Sequence, residues 1–142
     1  MSKKFSFAAF GNFFNRLKIQ EKINFSRHLS IMIEAGLPIF EALKIIRRQA
    51  TTKKLGTILD RVIVDVSNGQ SLADSLKYRG NAFGDFFVSV VRIGESSGTL
   101  SQNLLYLAEE LKKKILLKSK IRSALIYPAV ISVATVGLVG IL

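Results

Sequence analysis

The sequence predicts an all-α protein, a bundle of about six helices followed by a transmembrane helix. Three observations carry this. Apolar residues in the middle of the chain recur at the 3.6-residue helical period and are interrupted by glycine. No strong strand signal is present, since the β-branched run Arg61-Val-Ile-Val-Asp-Val66 lies inside one of those helical patterns. The last twenty residues, Ser123 to Leu142, carry no charged side chain. Twenty helical residues rise about 30 Å, the thickness of a bilayer's hydrocarbon core.

The first helix is marked by Phe25, Leu29, Met32 and Ile33, at i, i+4, i+7 and i+8, with Gly36 placed to stop it in a left-handed conformation. Pro38 opens the second at its first position, with Glu41 near the positive end of the dipole and Ile39, Ala42, Leu43 and Ile46 inward. A third runs from about Lys53 with Leu55, Ile58, Leu59, Val62 and Val66 inward, and ends at Asn68-Gly69. Ser71 with Asp74 is a capping-box signature for a short fourth helix carrying Leu72 and Leu76. Arg79-Gly80-Asn81 forms a turn. Phe83, Phe87, Val90, Val91 and Gly94 mark the fifth helix. Thr99 with Gln102 caps the sixth, whose Leu100, Leu104, Leu107, Ala108 and Leu111 share a face; no breaker precedes the apolar segment, so this helix is expected to run on into it.

Three regions follow. Residues 1–22 form a basic, Phe-rich lead-in, expected to be interfacial or disordered; Phe5, Phe7, Phe10, Phe13 and Phe14 either dip into headgroups or cover an apolar groove. Residues 23–122 form the helical-bundle domain, and 123–142 the transmembrane helix, expected to be truncated. The net charge of +11 is unevenly spread. Residues 23–111 hold ten basic and nine acidic side chains, whereas Lys112, Lys113, Lys114, Lys118, Lys120 and Arg122 abut the apolar segment. That is the positive-inside pattern, which places residues 1–122 in the cytoplasm. Near-neutrality of the bundle argues against a nucleic-acid binder.

Catalytic chemistry finds no support. There is no cysteine, which excludes a disulfide, a thiolate nucleophile and a cysteine metal site. The one histidine, His28, is expected at an exposed or edge position. Gly94-Glu-Ser-Ser-Gly98 fits the G-x-S-x-G nucleophile elbow, but that motif needs a preceding strand and a histidine partner, and a helical run precedes it here. No phosphate-loop sequence is present. The stretch instead reads as punctuation: Gly94 permits close helix packing, Ser96-Ser97-Gly98 breaks the helix, and Thr99 starts the next. Glu95 has several readings: a solvated side chain, a carboxylate that accepts backbone N–H groups to lock the turn, or a group that meets a cation or a basic partner surface. No catalytic, cofactor or metal residue is expected.

Gly94-Glu95, Gly98, Leu100, Leu104, Leu107 and Ala108 resemble the G-E-x-x-G-x-L-x-x-x-L-x-x-L-A signature of the type II secretion system protein F family. Phe25, Leu29, Ala35-Gly36-Leu37-Pro38 and Ala42-Leu43 are similar to that family's opening helices, and Gly69, Ser71-Leu72 and Leu76 to its middle turn. Lys120-Ile121, Ala124-Leu125 and Tyr127-Pro128 resemble the start of its first membrane helix. Phe83-Gly84 departs from the Phe-Pro common there. The resemblance implies a non-enzymatic platform protein of the inner membrane. Such a protein couples a cytoplasmic assembly ATPase to pilin or pseudopilin, among other inner-membrane components of a type IV pilus or type II secretion machine, and forms a homo-oligomer. The family carries two copies of this domain, so a fragment of a platform is expected. The alternative is a membrane-anchored helical adaptor unrelated to secretion.

Overall fold

The computed structural model describes residues 16–79 and 81–141, without the side chains of 120–130 and 141. The Phe-rich lead-in up to residue 15 and Gly80 of the expected turn lie outside the described residues, as do the side chains of Lys120, Arg122, Tyr127 and Pro128. The described residues are all-α, with six helices in chain order: α1 (Ile19–Glu34), α2 (Ile39–Arg48), α3 (Lys53–Ser67), α4 (Leu72–Lys77), α5 (Asp85–Ser97) and α6 (Leu100–Ile141). The chain divides into two units, one ending at Leu111 and one running from Lys112.

In the first unit every helix turns its periodic apolar stripe into one core. Leu29, Leu43, Leu59, Leu76, Val91 and Leu104 have no exposed surface. Met32, Ile33, Ile39, Ile58, Val66 and Val90 pack against this core while remaining partly exposed. Phe25 of α1, Phe83 and Phe87 of α5 form an aromatic trio, with ring centroids 5.4 Å (25–83), 5.0 Å (83–87) and 6.3 Å (25–87) apart. Tilted rings at these spacings add to what area burial contributes. Phe83 stands just before α5, not within it, because Gly84 (φ +91) occupies the N-cap. His28 is exposed.

The helix ends follow local chemistry. Pro38 is the N-cap of α2 and not its first helical residue: its ψ of 148° is extended, and its carbonyl accepts from Ala42 N. Thr52 caps α3 by accepting from Leu55 N at 3.3 Å, and Ser71 caps α4 by accepting from Asp74 N at 3.1 Å. Thr99 stands at the N-cap position of α6, where its carbonyl accepts from Asn103 N at 3.0 Å, but its hydroxyl donates to Asn103 Oδ1 at 3.5 Å and not to the helix backbone. Two long-range hydrogen bonds pin α1 to the start of α6. Ser30 donates to the Ser101 carbonyl at 2.6 Å, and Ser101 donates to Glu34 at 2.9 Å.

In the second unit, α6 remains helical to Ile141. Residues 131–140 are all exposed, including Val133, Val136, Leu138 and Val139. Among the described residues, no helix is long and apolar enough to cross a membrane. The segment expected in the bilayer, 123–142, falls in part outside them, since the side chains of 123–130 are not described.

Candidate functional site

The Gly94–Leu104 stretch is a helix–turn–helix corner whose parts are held by named bonds. Gly94 lies on α5 against the start of α6. A Cβ there would sit 2.9 Å from Leu100 Cα and about 3.1–3.2 Å from the Asn103 side chain. Real contacts do not reach the first of these distances, so only glycine permits this approach. Asn103 uses the same proximity to donate from Nδ2 to the Val90 carbonyl at 3.0 Å. Gly98 is the C-cap of α5 in the left-handed region (φ +71, ψ 21), and Thr99 N returns to the Gly94 carbonyl at 2.9 Å. Glycine takes that conformation without the steric penalty a Cβ would bring. Leu100 and Leu104 are buried and carry the corner into the core.

Glu95 has partners that the sequence separation hides. Its two carboxylate oxygens accept the backbone N–H groups of Leu72 (2.8 Å) and Ala73 (2.7 Å), the first two residues of α4. A helix N-terminus leaves its first N–H groups without intrahelical partners and carries positive partial charge. Here a carboxylate from another helix meets both needs. Ser71 supplies the third bond to the same helix end. Of the readings open for Glu95, acceptance of backbone N–H groups is the one present, and it acts on α4 and not on its own turn.

A six-residue helix is not stable by itself, and further bonds hold α4. Asp65 of α3 accepts Ser75 Oγ at 2.7 Å and Arg79 Nη2 at 2.5 Å. Ser75 is fully buried. The Ser75 hydroxyl, with the Arg79 guanidinium beside it, holds the Asp65 carboxyl below the usual carboxylate range against the opposing effect of burial. Asp74 pairs with Arg92 of α5 at 2.8 Å, and that bond, aided by Ser71, holds its carboxyl low as well. This network escaped the sequence reading because Asp65, Ser75 and Arg79 are ten and fourteen residues apart. The available signal was an acid at Asp65 within the otherwise apolar Val62–Val66 run.

Ser96, the nominal nucleophile, is exposed and donates to the Ile93 carbonyl one turn back at 3.1 Å. Among the described residues no group of three or more His, Cys, Asp or Glu side chains is placed to hold a metal ion. In the basic cluster, Lys112, Lys113, Lys114 and Lys118 are exposed on α6. The structure also assembles a group that the sequence reading passed over. Lys53, Lys54 and Arg61 of α3 line one groove of about 650 Å³ with Tyr78 and Arg79.

A family model described as type II secretion system (T2SS), protein F, matches residues 25–142. A type IV pilus assembly protein PilC of Thermus thermophilus is 41% identical over 113 residues, covering 80% of this chain and 28% of that protein. A type 4 fimbrial assembly protein PilC of Pseudomonas putida is 34% identical over 118 residues, 83% of this chain and 29% of that protein. The type II secretion system protein F of Vibrio cholerae is 34% identical over 117 residues, 82% of this chain and 29% of that protein. The chain thus spans less than a third of the length of the curated relatives it matches. The matched segment takes in all of the Gly94–Leu104 corner, Glu95 and the helix that Glu95 caps, and on this match the chain belongs to the type II secretion system protein F family.

Proposed function

We propose that this chain is part of a non-enzymatic inner-membrane platform that serves a type IV pilus or type II secretion machine. In this reading residues 1–122 are cytoplasmic and 123–142 enter the bilayer. The platform couples a cytoplasmic ATPase to the assembly of pilin or pseudopilin. The observation that carries the proposal is the match to the family over residues 25–142. The site supports a structural role for the Gly94–Leu104 corner, since Glu95 and Ser96 are both engaged with backbone groups. The bundle is tied internally by buried leucines and short polar bonds, which suits a body that receives force without rearranging. Exposed Val133, Val136, Leu138 and Val139 support a lipid-facing surface beyond the Lys112–Lys118 cluster.

Two measurements test this. The full-length protein, isolated from native membranes after cross-linking, is expected to bring with it a hexameric ATPase; its absence from repeated captures would count against the coupling role. For orientation, the cysteine-free chain permits a single thiol at exposed Ser89. Ser89→Cys is expected to resist a membrane-impermeant reagent in intact cells and to react after permeabilisation. Labelling in intact cells would invert the topology.

A further inference from the structure

The start of α3 is built against its own dipole. Lys53 and Lys54 occupy its first turn, which holds no acidic residue. Carboxylates are the side chains favoured at that end of a helix. Lys54, Ile58 and Arg61 then follow at i, i+4 and i+7 on one face. Across the groove stand Tyr78, 72% exposed, and Arg79. Among the described residues the lining therefore holds four cationic side chains and no carboxylate.

Two of these four cations are engaged within the protein. Arg79 pairs with Asp65. Lys54 donates to the Arg16 carbonyl at 2.9 Å. Among the described residues neither Lys53 nor Arg61 has a carboxylate within ion-pair distance. Asp60, the acid beside Arg61 in the sequence, is engaged by Arg47 at 2.7 Å. Between the cations, Ile58 and the Tyr78 ring supply apolar surface. A lone phosphate would use the cations and leave that surface, and most of the 650 Å³, unused. A row of carboxylates with an apolar side chain among them uses all of it. Tyrosine and arginine at the edge of a pocket are also the residue types that carry binding energy at protein interfaces.

We propose that this groove docks an acidic segment of a partner protein, with an apolar side chain seated between Ile58 and Tyr78 and its carboxylates against Lys53 and Arg61. The groove has the same charge and lining whether or not the chain serves a pilus or secretion machine, so this proposal and the platform reading fail separately.

The test uses the whole chain in non-ionic detergent and the fluorescein-labelled peptide Glu-Glu-Leu-Glu-Glu, read by fluorescence anisotropy. Saturable binding that weakens as salt rises is expected. The double variant Lys53→Glu/Arg61→Glu is expected to bind about tenfold more weakly or worse. It should stay folded, because Lys53→Glu suits the dipole at the start of α3 and offsets the like charge that Arg61→Glu sets four residues before Asp65. Tyr78→Ser and the peptide Glu-Glu-Gly-Glu-Glu should each weaken binding severalfold. Replacing Lys112, Lys113 and Lys114 with Gln should leave it unchanged, which separates the groove from the chain's general basicity. Equal affinity of the Lys53→Glu/Arg61→Glu variant overturns the proposal, as does loss confined to the variant at 112–114. Tighter groove-dependent binding of phosphatidylglycerol vesicles, inorganic phosphate or a single-stranded oligonucleotide than of the peptide would also overturn it, in favour of that ligand.

Discussion

Replacing Glu95 with Gln isolates the carboxylate that caps α4. In the native structure each oxygen accepts one backbone N–H, at 2.8 Å from Leu72 and 2.7 Å from Ala73. Both donors belong to buried residues. Gln offers one oxygen and one NH₂ group, so one N–H keeps a neutral acceptor and the other faces a donor. A hydrogen bond to a charged group contributes about 1.5–3 kcal/mol, and a stranded buried donor costs about 1–3 kcal/mol. The bond that Gln retains offsets part of this, and the net loss is expected near 2 kcal/mol. For a domain of this size that lowers the melting temperature by about 10 °C. Glu95→Ala removes both acceptors and should cost about 3–4 kcal/mol. Thermal melts followed by circular dichroism give the global effect. Hydrogen exchange at the Leu72 and Ala73 amides gives the local one, and both amides should lose protection first. A Glu95→Gln protein that melts with the parent and keeps those amides protected would refute the capping argument. If that stable variant also failed to support pilus assembly or secretion, the carboxylate would belong to a partner contact.

Gly94→Ala should lower stability by about 1–3 kcal/mol, since its Cβ would meet the Leu100 backbone at 2.9 Å and force α5 and α6 apart; an unchanged melting temperature would contradict the close approach. Gly98→Val should cost about 1 kcal/mol or more at φ +71, with Gly98→Asn milder, and equal melting temperatures for the three proteins would exclude strain at that cap. Asp65 has a native pKa below its unfolded value of 3.8, so the stability it contributes is full above that value and is lost as pH falls through the lower native one. Denaturant unfolding below about pH 4 should therefore show a shallower acid slope for Asp65→Asn than for the parent, and superimposable slopes would show that the carboxyl is not coupled to folding. Ser96→Ala should be silent within about 0.5 kcal/mol and leave function intact, whereas a hydrolase would lose all activity.

The helices of this chain were legible because their signals are local. Period-3.6 stripes such as Phe25–Leu29 and Leu55–Leu59–Val62 identify buried faces, and Thr52 and Ser71 satisfy N–H groups three residues away. The same locality let Ser96-Ser97-Gly98 be read as a helix break, and the structure places Gly98 there as a left-handed cap. Pro38 was placed one position too far into α2, because its fixed φ of −61° is common to the cap and the first turn and only ψ separates them. The family resemblance came from the same corner, and the match over residues 25–142 agrees with it.

By itself, then, the sequence determined the all-α class, the order of the helices, which side chains enter the core and the family. The class, the helix order and the core positions follow from residues within about one turn of each other, where spacing alone decides what touches, and the family follows from a set of such short motifs taken together. The tertiary structure alone decided what Glu95 does, by bringing Leu72 and Ala73 to it across 23 and 22 residues. It alone joined Asp65 to Ser75 and Arg79, and Lys53 and Arg61 to Tyr78. Those contacts depend on how helices pack, and packing is set by the summed shape of the whole core. A local pattern carries no trace of it: the period that puts Glu95 on α5 is the same whether its carboxylate meets water, a partner, or the exposed end of another helix.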